Sequence, residues 1–522
     1  MRVRKRVSTW TASIIRSMVE ANPSCFTRNT VFALLLCSPF VSHASAHCDF
    51  VPAGKFFWVR LLDPVASYSS KPGTPLRAML IQSPECDGSP VFPVGIEING
   101  RVVSVRKVGL GLIHDTAKLE VRFDQLVVPG GILQFNSQVV EVDNARETVR
   151  DGIIRGVRST DTPQGRITSR LIHLPTFNPY GDLGLIVFRT FSILPEPEVY
   201  LPPGTDLRLR LNAPLYVGDQ PELPRPSYQL DEFERGDIEL LLQHVPERTA
   251  TSSGQNADLV NLLLIGSEDQ VKSAFTAAGW LRGDRNSYRA FLREFEAYLT
   301  LSNYPTMPVS KQFLNGSAAD SSWQKSLNSY SKREHIRVWG QPDSVLGQQA
   351  WLGAYTREIS ATLSVRYHKF MHHIDPNLDE GVTMLVRDLA LSGCVESVGL
   401  LPRPELPRSM VNATGDTMRT DGMLTVVQLK NCNRLAVGAN PAIPIHPHSR
   451  IARYFRDRVL LYKSDVIRGN LVYGAFDLCR MSILSVRHRN RGPLEDDNLP
   501  RSPVSPETIL PVSLSRTSGP PF

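Results

Sequence analysis

The sequence predicts an α+β multidomain protein, with an N-terminal all-β region (a small barrel or sandwich) followed by an α+β domain whose sheet is mostly antiparallel. Three observations carry this. Between about residues 50 and 225, short runs alternate apolar and polar residues and are punctuated by Gly and Pro. Beyond about residue 257, an apolar run meets a capped helix, and helices and longer strands then intermix. The chain has 522 residues, 42% hydrophobic and 21% charged, enough for about two to four domains with cores of their own. The 39 prolines favour loops and strand edges over long helices.

Residues 1–46 read as a secretory leader. Six basic residues stand against Glu20, and Val31 to Val41 is apolar apart from Cys37, Ser38 and Pro39. Ala44-Ser45-Ala46 places small residues where a signal peptidase reads, which predicts cleavage before His47. A span needs about 20 apolar residues, and Pro39 interrupts this shorter run. The mature chain is therefore expected to be periplasmic or envelope-associated with no transmembrane span. Met1 and Met18 both remain candidate starts. The formal charge of +7 falls to +2 over residues 47–522, which argues against a general nucleic-acid binder.

The β-rich region is placed at 47–216. Its strands include Phe57-Trp-Val-Arg-Leu61, Val102-Val-Ser-Val-Arg106, Lys118-Leu-Glu-Val-Arg-Phe123 and Gln138-Val-Val-Glu-Val142. A partial internal repeat links Pro52-Ala-Gly-Lys-Phe-Phe-Trp-Val-Arg-Leu-Leu-Asp-Pro64 to Pro202-Pro-Gly-Thr-Asp-Leu-Arg-Leu-Arg-Leu-Asn-Ala-Pro214. Each copy is a Pro/Gly turn, an alternating strand and a terminating Pro. Arg155, Arg158 and Arg166 give local basicity of the kind a solvated loop carries. Gly109-Leu-Gly111 has His114 where a dinucleotide loop needs its third glycine, so that site is rejected.

Residues 217–256 read as a linker, with a short helical run near 237–244 and a Thr/Ser/Gly stretch at 249–254 as the preferred boundary. The second domain is placed at 257–440. Leu259 to Ile265 is expected as one buried strand. Ser267, with Gln270 three residues on, caps a helix that Gly279 ends. Further helices are expected at 287–301 and 378–391, strands at 335–339 and 350–365, and a hairpin at Thr420-Asp-Gly422 leading into Leu424–Leu429. Residues 441–490 return to helical spacing and are strongly basic over 450–491. Residues 491–522 are Pro/Ser-rich and expected to be disordered.

Five cysteines remain after cleavage: Cys48, Cys86, Cys394, Cys432 and Cys479. The number is odd, so one thiol stays free or pairs between chains, and the pairing is open. Cys48–Cys86 and Cys394–Cys432 would each stay within one domain.

Several motifs occur in order in the second domain: Asn261-Leu-Leu-Leu-Ile-Gly-Ser267, Ala278-Gly-Trp280, Pro308-Val-Ser310, Phe313-Leu-Asn-Gly316, Trp323-Gln-Lys325, Lys332-Arg-Glu-His-Ile-Arg-Val-Trp339, Trp351-Leu-Gly-Ala-Tyr-Thr-Arg-Glu358 and His372-His-Ile-Asp-Pro376. Together they resemble the LssY C-terminal domain, a bacterial family of undefined molecular function. In relatives the domain follows integral membrane modules of the phosphatidic-acid-phosphatase or DedA type. The β-rich region here replaces such a module, so the resemblance implies an envelope setting and no lipid-phosphatase chemistry.

Two sets of residues carry candidate chemistry. His335, His372, His373 and Asp375 form a candidate divalent-metal set for assisted hydrolysis, with His368 and Glu358 within reach in the sequence pattern. A helical backbone would place His368 and His372 on one face. Pro376 instead favours extended backbone at Asp375, which makes the histidines hydrogen-bonded packing residues. The second set is Arg453, Arg456, Arg458 and Lys463, interleaved with Tyr454, Phe455, Leu460 and Leu461. These suit an anionic membrane surface or an envelope polyanion, or equally a terminal helix docked on its own domain with a basic outer face. No GxSxG, P-loop or HExxH is present. Trp280, Trp323, Trp339 and Trp351 fit a core better than a groove. The leading expectation is an exported, non-enzymatic binding or scaffolding protein that takes envelope proteins or an anionic membrane surface as partners, with no nucleic acid expected.

Overall fold

The computed structural model describes residues 49–86, 89–128, 130–158, 161–166, 194–217, 232–364, 369–432 and 448–469. The expected leader, the expected tail, His368, Cys48 and Cys479 lie outside them.

The N-terminal region is built on a nine-stranded antiparallel sheet curled towards a barrel, with three short two-stranded pairs beside it. Its strands are β1 (Phe56–Leu61), β2 (Pro75–Gln82), β3 (Glu97–Arg106), β4 (Lys118–Val128), β5 (Gly131–Gln134), β6 (Ser137–Val142), β7 (Thr148–Arg150), β8 (Ile153–Arg155) and β9 (Asp206–Leu211). The order is β6-β9-β1-β2-β3-β4-β8-β7, with β5 paired to β4. The edge strand β6 comes back beside β4 and β7, which nearly closes the sheet. Alternation decides what lies inside: Val59, Leu61, Leu119, Val121, Phe123, Leu207 and Leu209 fill one core.

The sequence repeat has a structural meaning. Its two strands, β1 and β9, are antiparallel neighbours, with Arg60 opposite Asp206 and Phe56 opposite Arg210. The Gly54 N–H donates to Leu211 O, and the Gly204 N–H donates to Leu61 O, each at 2.8 Å. Both glycines have φ near +85°, a conformation that favours glycine. Each copy's turn thus closes on the end of the other copy's strand.

The second region is built on an eight-stranded sheet. Its strands are β12 (Leu262–Ile265), β13 (Leu281–Arg282), β16 (Ser321–Lys325), β17 (Arg333–Val345), β18 (Gln348–Ser364), β19 (Lys369–Ile374), β20 (Val395–Pro402) and β23 (Met423–Leu429). The order is β13-β16-β17-β18-β12-β23-β20, with β19 also paired to β18. Every pair is antiparallel except β12 with β23. A smaller sheet runs β11-β10-β14-β15, from β10 (Arg248–Ala250), β11 (Asn256–Leu259), β14 (Phe313–Leu314) and β15 (Ser317–Ala318). β21 (Ser409–Val411) and β22 (Thr417–Arg419) form a separate hairpin.

Helices α1 (Glu232–Leu242), α2 (Glu268–Ala277), α3 (Tyr288–Thr300) and α4 (Leu378–Leu391) surround this sheet. Leu262 and Leu264 face Val271 and Phe275 of α2 and Leu385 and Leu389 of α4. Leu263 and Ile265 face Ile238 and Leu241 of α1. A strand covered on both faces reads as an unbroken apolar run, which is why Leu262–Ile265 lacks alternation. The capping box of Ser267 and Gln270 forms as expected. The four tryptophans are all buried core residues.

Three expectations need adjustment. The 259–265 run is two strands in different sheets, broken at Asn261. There the side-chain amide donates to Tyr355 O at 3.0 Å and accepts from the Tyr355 N–H at 2.9 Å, standing in for backbone pairing. The Thr/Ser/Gly stretch at 249–254 is the end of β10 and its turn towards β11, and α1 is packed on the sheet, so these parts of the expected linker are built into the second region. Thr420–Gly422 is not a hairpin turn. It is held by Asp379 of α4, which accepts from Thr420 Oγ1 at 3.0 Å and the Asp421 N–H at 2.6 Å, while β23 pairs with β20 and β12.

A last helix, α5 (Arg450–Gly469), returns to the first region, where Leu460 and Leu461 enter the core of the N-terminal sheet. Cys394 and Cys432 are joined by a disulfide, and Cys86 is also disulfide-bonded. Among the described residues no helix is long and apolar enough to cross a membrane.

Candidate functional site

The histidine set is split by strand geometry. β19 is extended, so His372 and His373 point to opposite faces. His372 turns inward to Glu358, with Nδ1 at 3.0 Å from Oε2, and its ring lies 5.4 Å from that of Tyr330. Its Nε2 lies 3.7 Å from Glu294 of α3. His335, on β17, places Nδ1 at 3.4 Å from Glu358 Oε1 and Nε2 at 2.9 Å from Thr356 Oγ1. His373 goes outward, to Asp416 Oδ1 at 2.8 Å and Thr362 Oγ1 at 3.2 Å. Asp375 accepts from the Asn377 N–H at 3.0 Å, as a turn residue leading into α4. The four predicted ligands therefore do not converge, and among the described residues no group of three or more His, Cys, Asp or Glu is placed to hold a metal.

The hub of the cluster is Glu358. Arg333 donates to both of its oxygens, at 2.6 and 3.1 Å, and also to Met307 O and Gln324 Oε1. Burial pushes the Glu358 carboxyl up, but Arg333 and His372 outweigh this and hold it well below the usual carboxylate range. Burial pushes His335 well below the usual imidazole value, with Arg337 adding to the effect. Burial also lowers His372, yet Glu358 and Glu294 leave it raised. The arrangement is a buried ion-paired cluster in which each group offsets the cost of burying its neighbours.

A second cluster, absent from the sequence-level candidates, joins the two regions. Arg60 of β1 donates to Asp206 of β9 through Nε (2.6 Å) and Nη2 (2.7 Å), and it also pairs with Asp388 of α4. Lys325 of β16 lies 2.8 Å from Asp388 and 3.3 Å from Asp206, and the Trp280 indole N–H donates to Asp388 at 3.2 Å. Arg357 pairs with Asp143 alongside. Burial pushes Asp388 up, but Arg60 and Lys325 lower it to about 2. Glu334 is 1% exposed and, among the described residues, neither carboxyl oxygen has a hydrogen-bond partner. Burial raises it to about 8 despite Lys325, so one largely neutral acid stands beside the ion pairs of the junction. One sequence signal was available: Asp388 lies on the inward face of α4 with Leu385 and Leu389, where a carboxylate needs a partner.

The basic helix also differs from its sequence reading. Arg456 is 1% exposed, with Nη1 and Nη2 donating to Glu196 at 2.7 and 3.0 Å, so its charge is committed inside the protein. Lys463 donates to Gly111 O and Leu112 O and pairs with Asp115 at 2.8 Å. Arg458 stacks 4.9 Å over the Tyr454 ring. Arg453 and Arg458 line a cleft of about 600 Å³ between α5, α3 and the first region, with Glu198, Glu296, Asn303 and Asn328 on its other walls. Ile451 and Phe455 remain exposed, one turn apart.

The second region is thus an α+β module organised on a mixed, mostly antiparallel sheet. Residues 242–424 match the family described as LssY C-terminus, which bears out the resemblance seen in the motifs. The match begins at the end of α1 and takes in β10, earlier than the motifs alone placed it. No curated protein matches the chain. Among solved structures, ComB10 of the Com type IV secretion system of Helicobacter pylori aligns at 12% identity over 34% of this chain and 93% of that one, with a TM-score of 0.19, too low to equate the two folds.

Proposed function

We propose that this is an exported cell-envelope protein that binds or scaffolds other envelope components and carries no chemistry of its own. The observation that supports this most directly is the state of the polar clusters. Glu358, Asp388, Asp206 and their cationic partners are paired internally, in an arrangement suited to joining two modules. The leader at 1–46 supports export. Fractionation of native cells, with a mass measurement of the mature N-terminus, tests it. Release in the envelope fraction with cleavage before His47 is expected, and an uncleaved cytosolic protein would overturn the reading.

A second reading, peripheral membrane attachment through α5, is favoured by the exposed Ile451, Tyr454 and Phe455 beside Arg450, Arg453 and Arg458. Arg456 and Lys463 are taken up by internal bonds and contribute nothing to such a surface. Co-sedimentation with anionic vesicles, lost in Ile451→Ser/Phe455→Ser, is its expected signature.

A further inference from the structure

On the outer face of the N-terminal sheet, Arg106 of β3 stands directly opposite Lys118 of β4, and Lys118 directly opposite Arg155 of β8. Directly paired residues share a face, so three adjacent strands present an unbroken row of cations. Thr148 of β7 continues the row opposite Arg155. Like charges in this register destabilise a sheet. Nothing in the core requires them, since the alternate residues Leu119 and Ile154 supply the buried face.

The row lines a cavity of about 570 Å³ together with Arg150, Arg158, Thr116 and Asp161. Among the described residues, five cations therefore meet one carboxylate there, on a mature chain that carries only two more basic than acidic groups. Among the described residues, Arg106 makes one long bond, from Nη2 to Thr116 O at 3.5 Å, and the Nε atoms of Arg106 and Arg155 are buried without a partner. Glu120, the nearest carboxylate along β4 on this face, is engaged by Ser104 at 3.0 Å and Arg122 at 3.6 Å. Arg106 is also the main influence lowering Lys118, followed by burial and then Arg155 and Arg158.

We propose that this cavity is a binding site for a compact multivalent oxyanion, a phosphate-bearing group held by the Arg106, Lys118 and Arg155 row. Guanidinium forks match phosphate oxygens two at a time, and the lysine adds a point charge between them. The volume suits a small ligand, whether a soluble phosphorylated molecule or a phosphate-bearing lipid headgroup. The site lies on the sheet face and is independent of the exposed residues of α5.

Calorimetric titration of the full mature chain with inorganic pyrophosphate, at constant ionic strength, tests the proposal. Saturable binding is expected, weakened at least about tenfold in Lys118→Gln and in Arg155→Gln, retained in Lys118→Arg, and unchanged in Arg77→Gln, whose side chain pairs with Asp63. Without ligand, Lys118→Gln is expected to melt at or above the wild-type temperature, because a like-charge row has been relieved. A parallel arm uses vesicles containing phosphatidic acid. Vesicle binding that depends on the row assigns the phosphate to a lipid headgroup, and pyrophosphate binding alone assigns it to a soluble ligand. Absence of binding in both arms, or binding indifferent to Lys118 and Arg155, overturns the proposal.

Discussion

Arg60 and Asp388 are ion-paired although 328 residues separate them in the chain. The first sits on the strand at the centre of the sequence repeat, the second on the inward face of α4. Lys325 and Asp206 complete the quartet. Breaking one partner of a buried pair leaves the others uncompensated, so Asp388→Asn is expected to cost about 3–5 kcal/mol. Urea unfolding followed by tryptophan fluorescence measures this, with Trp280 reporting directly on Asp388. An unchanged midpoint would remove the quartet from the account of how the two regions are joined.

Glu334 gives this junction a pH dependence. Its carboxyl is raised to about 8, above its value in the unfolded chain. The folded state therefore holds a proton that the unfolded state releases from about pH 4.5 upward, and stability falls as pH rises from there to about 8. The slope contributed is at most about 1.4 kcal/mol per pH unit. Glu334→Gln keeps the shape and removes the titration. Its melting temperature is expected to exceed wild type at pH 8 and to converge with it near pH 5.

The Glu358 cluster predicts different behaviour on each side of neutrality. Burial raises Glu358, but Arg333 and His372 leave it depressed, so it stabilises above its unfolded pKa and that contribution is lost as pH falls through the folded value. His335 is depressed mainly by burial, so the unfolded chain gains a proton first and stability declines as pH drops below about 6.5. His372 is raised by Glu358 against its burial, so its contribution is present below about 6.5 and lost as pH rises through its folded value. In thermal melts across pH, His335→Gln is expected to flatten the acid limb and His372→Gln the neutral one. Arg333→Met is expected to cost about 3–5 kcal/mol, because a carboxylate is left buried with weaker support.

Helix α5 is expected to be part of the N-terminal fold. Leu460→Ala removes a buried side chain and is expected to cost about 2–5 kcal/mol. Phe455→Ala, at an exposed position on the same helix, is expected to stay within about 0.5 kcal/mol. Chemical denaturation of the two variants separates a docked helix from a surface appendage.

The sequence was most legible where local rules decide the structure. Ser267 and Gln270 announced α2, and alternation announced β1, β3, β4 and β9. The apolar stripe of 378–391 announced α4, because each pattern reports a face packed on a core. The junction was not legible, since Arg60, Lys325, Glu334 and Asp388 are dispersed along the chain and only the docking of one sheet on the other brings them together. The histidines carried two readings in the sequence, and the extended, packed one is found. Clustering in sequence suggested convergence in space, yet an extended backbone sends His372 and His373 to opposite sides. Glu358, a side note to the metal set, is the residue that gathers His335 and His372. The basic helix showed its composition but not its orientation, and Arg456 faces inward because Glu196 waits there.

Leu460 and Leu461 give the molecule an order of completion. The ribosome finishes every strand of the first sheet long before it makes the helix that fills the sheet's remaining core. Until that helix is made, the core of the first sheet lacks Leu460 and Leu461, and Asp115 and Glu196 lack Lys463 and Arg456. A chain that stops short of α5 carries an unfinished first half, so full-length translation is built into the stability of the earliest residues.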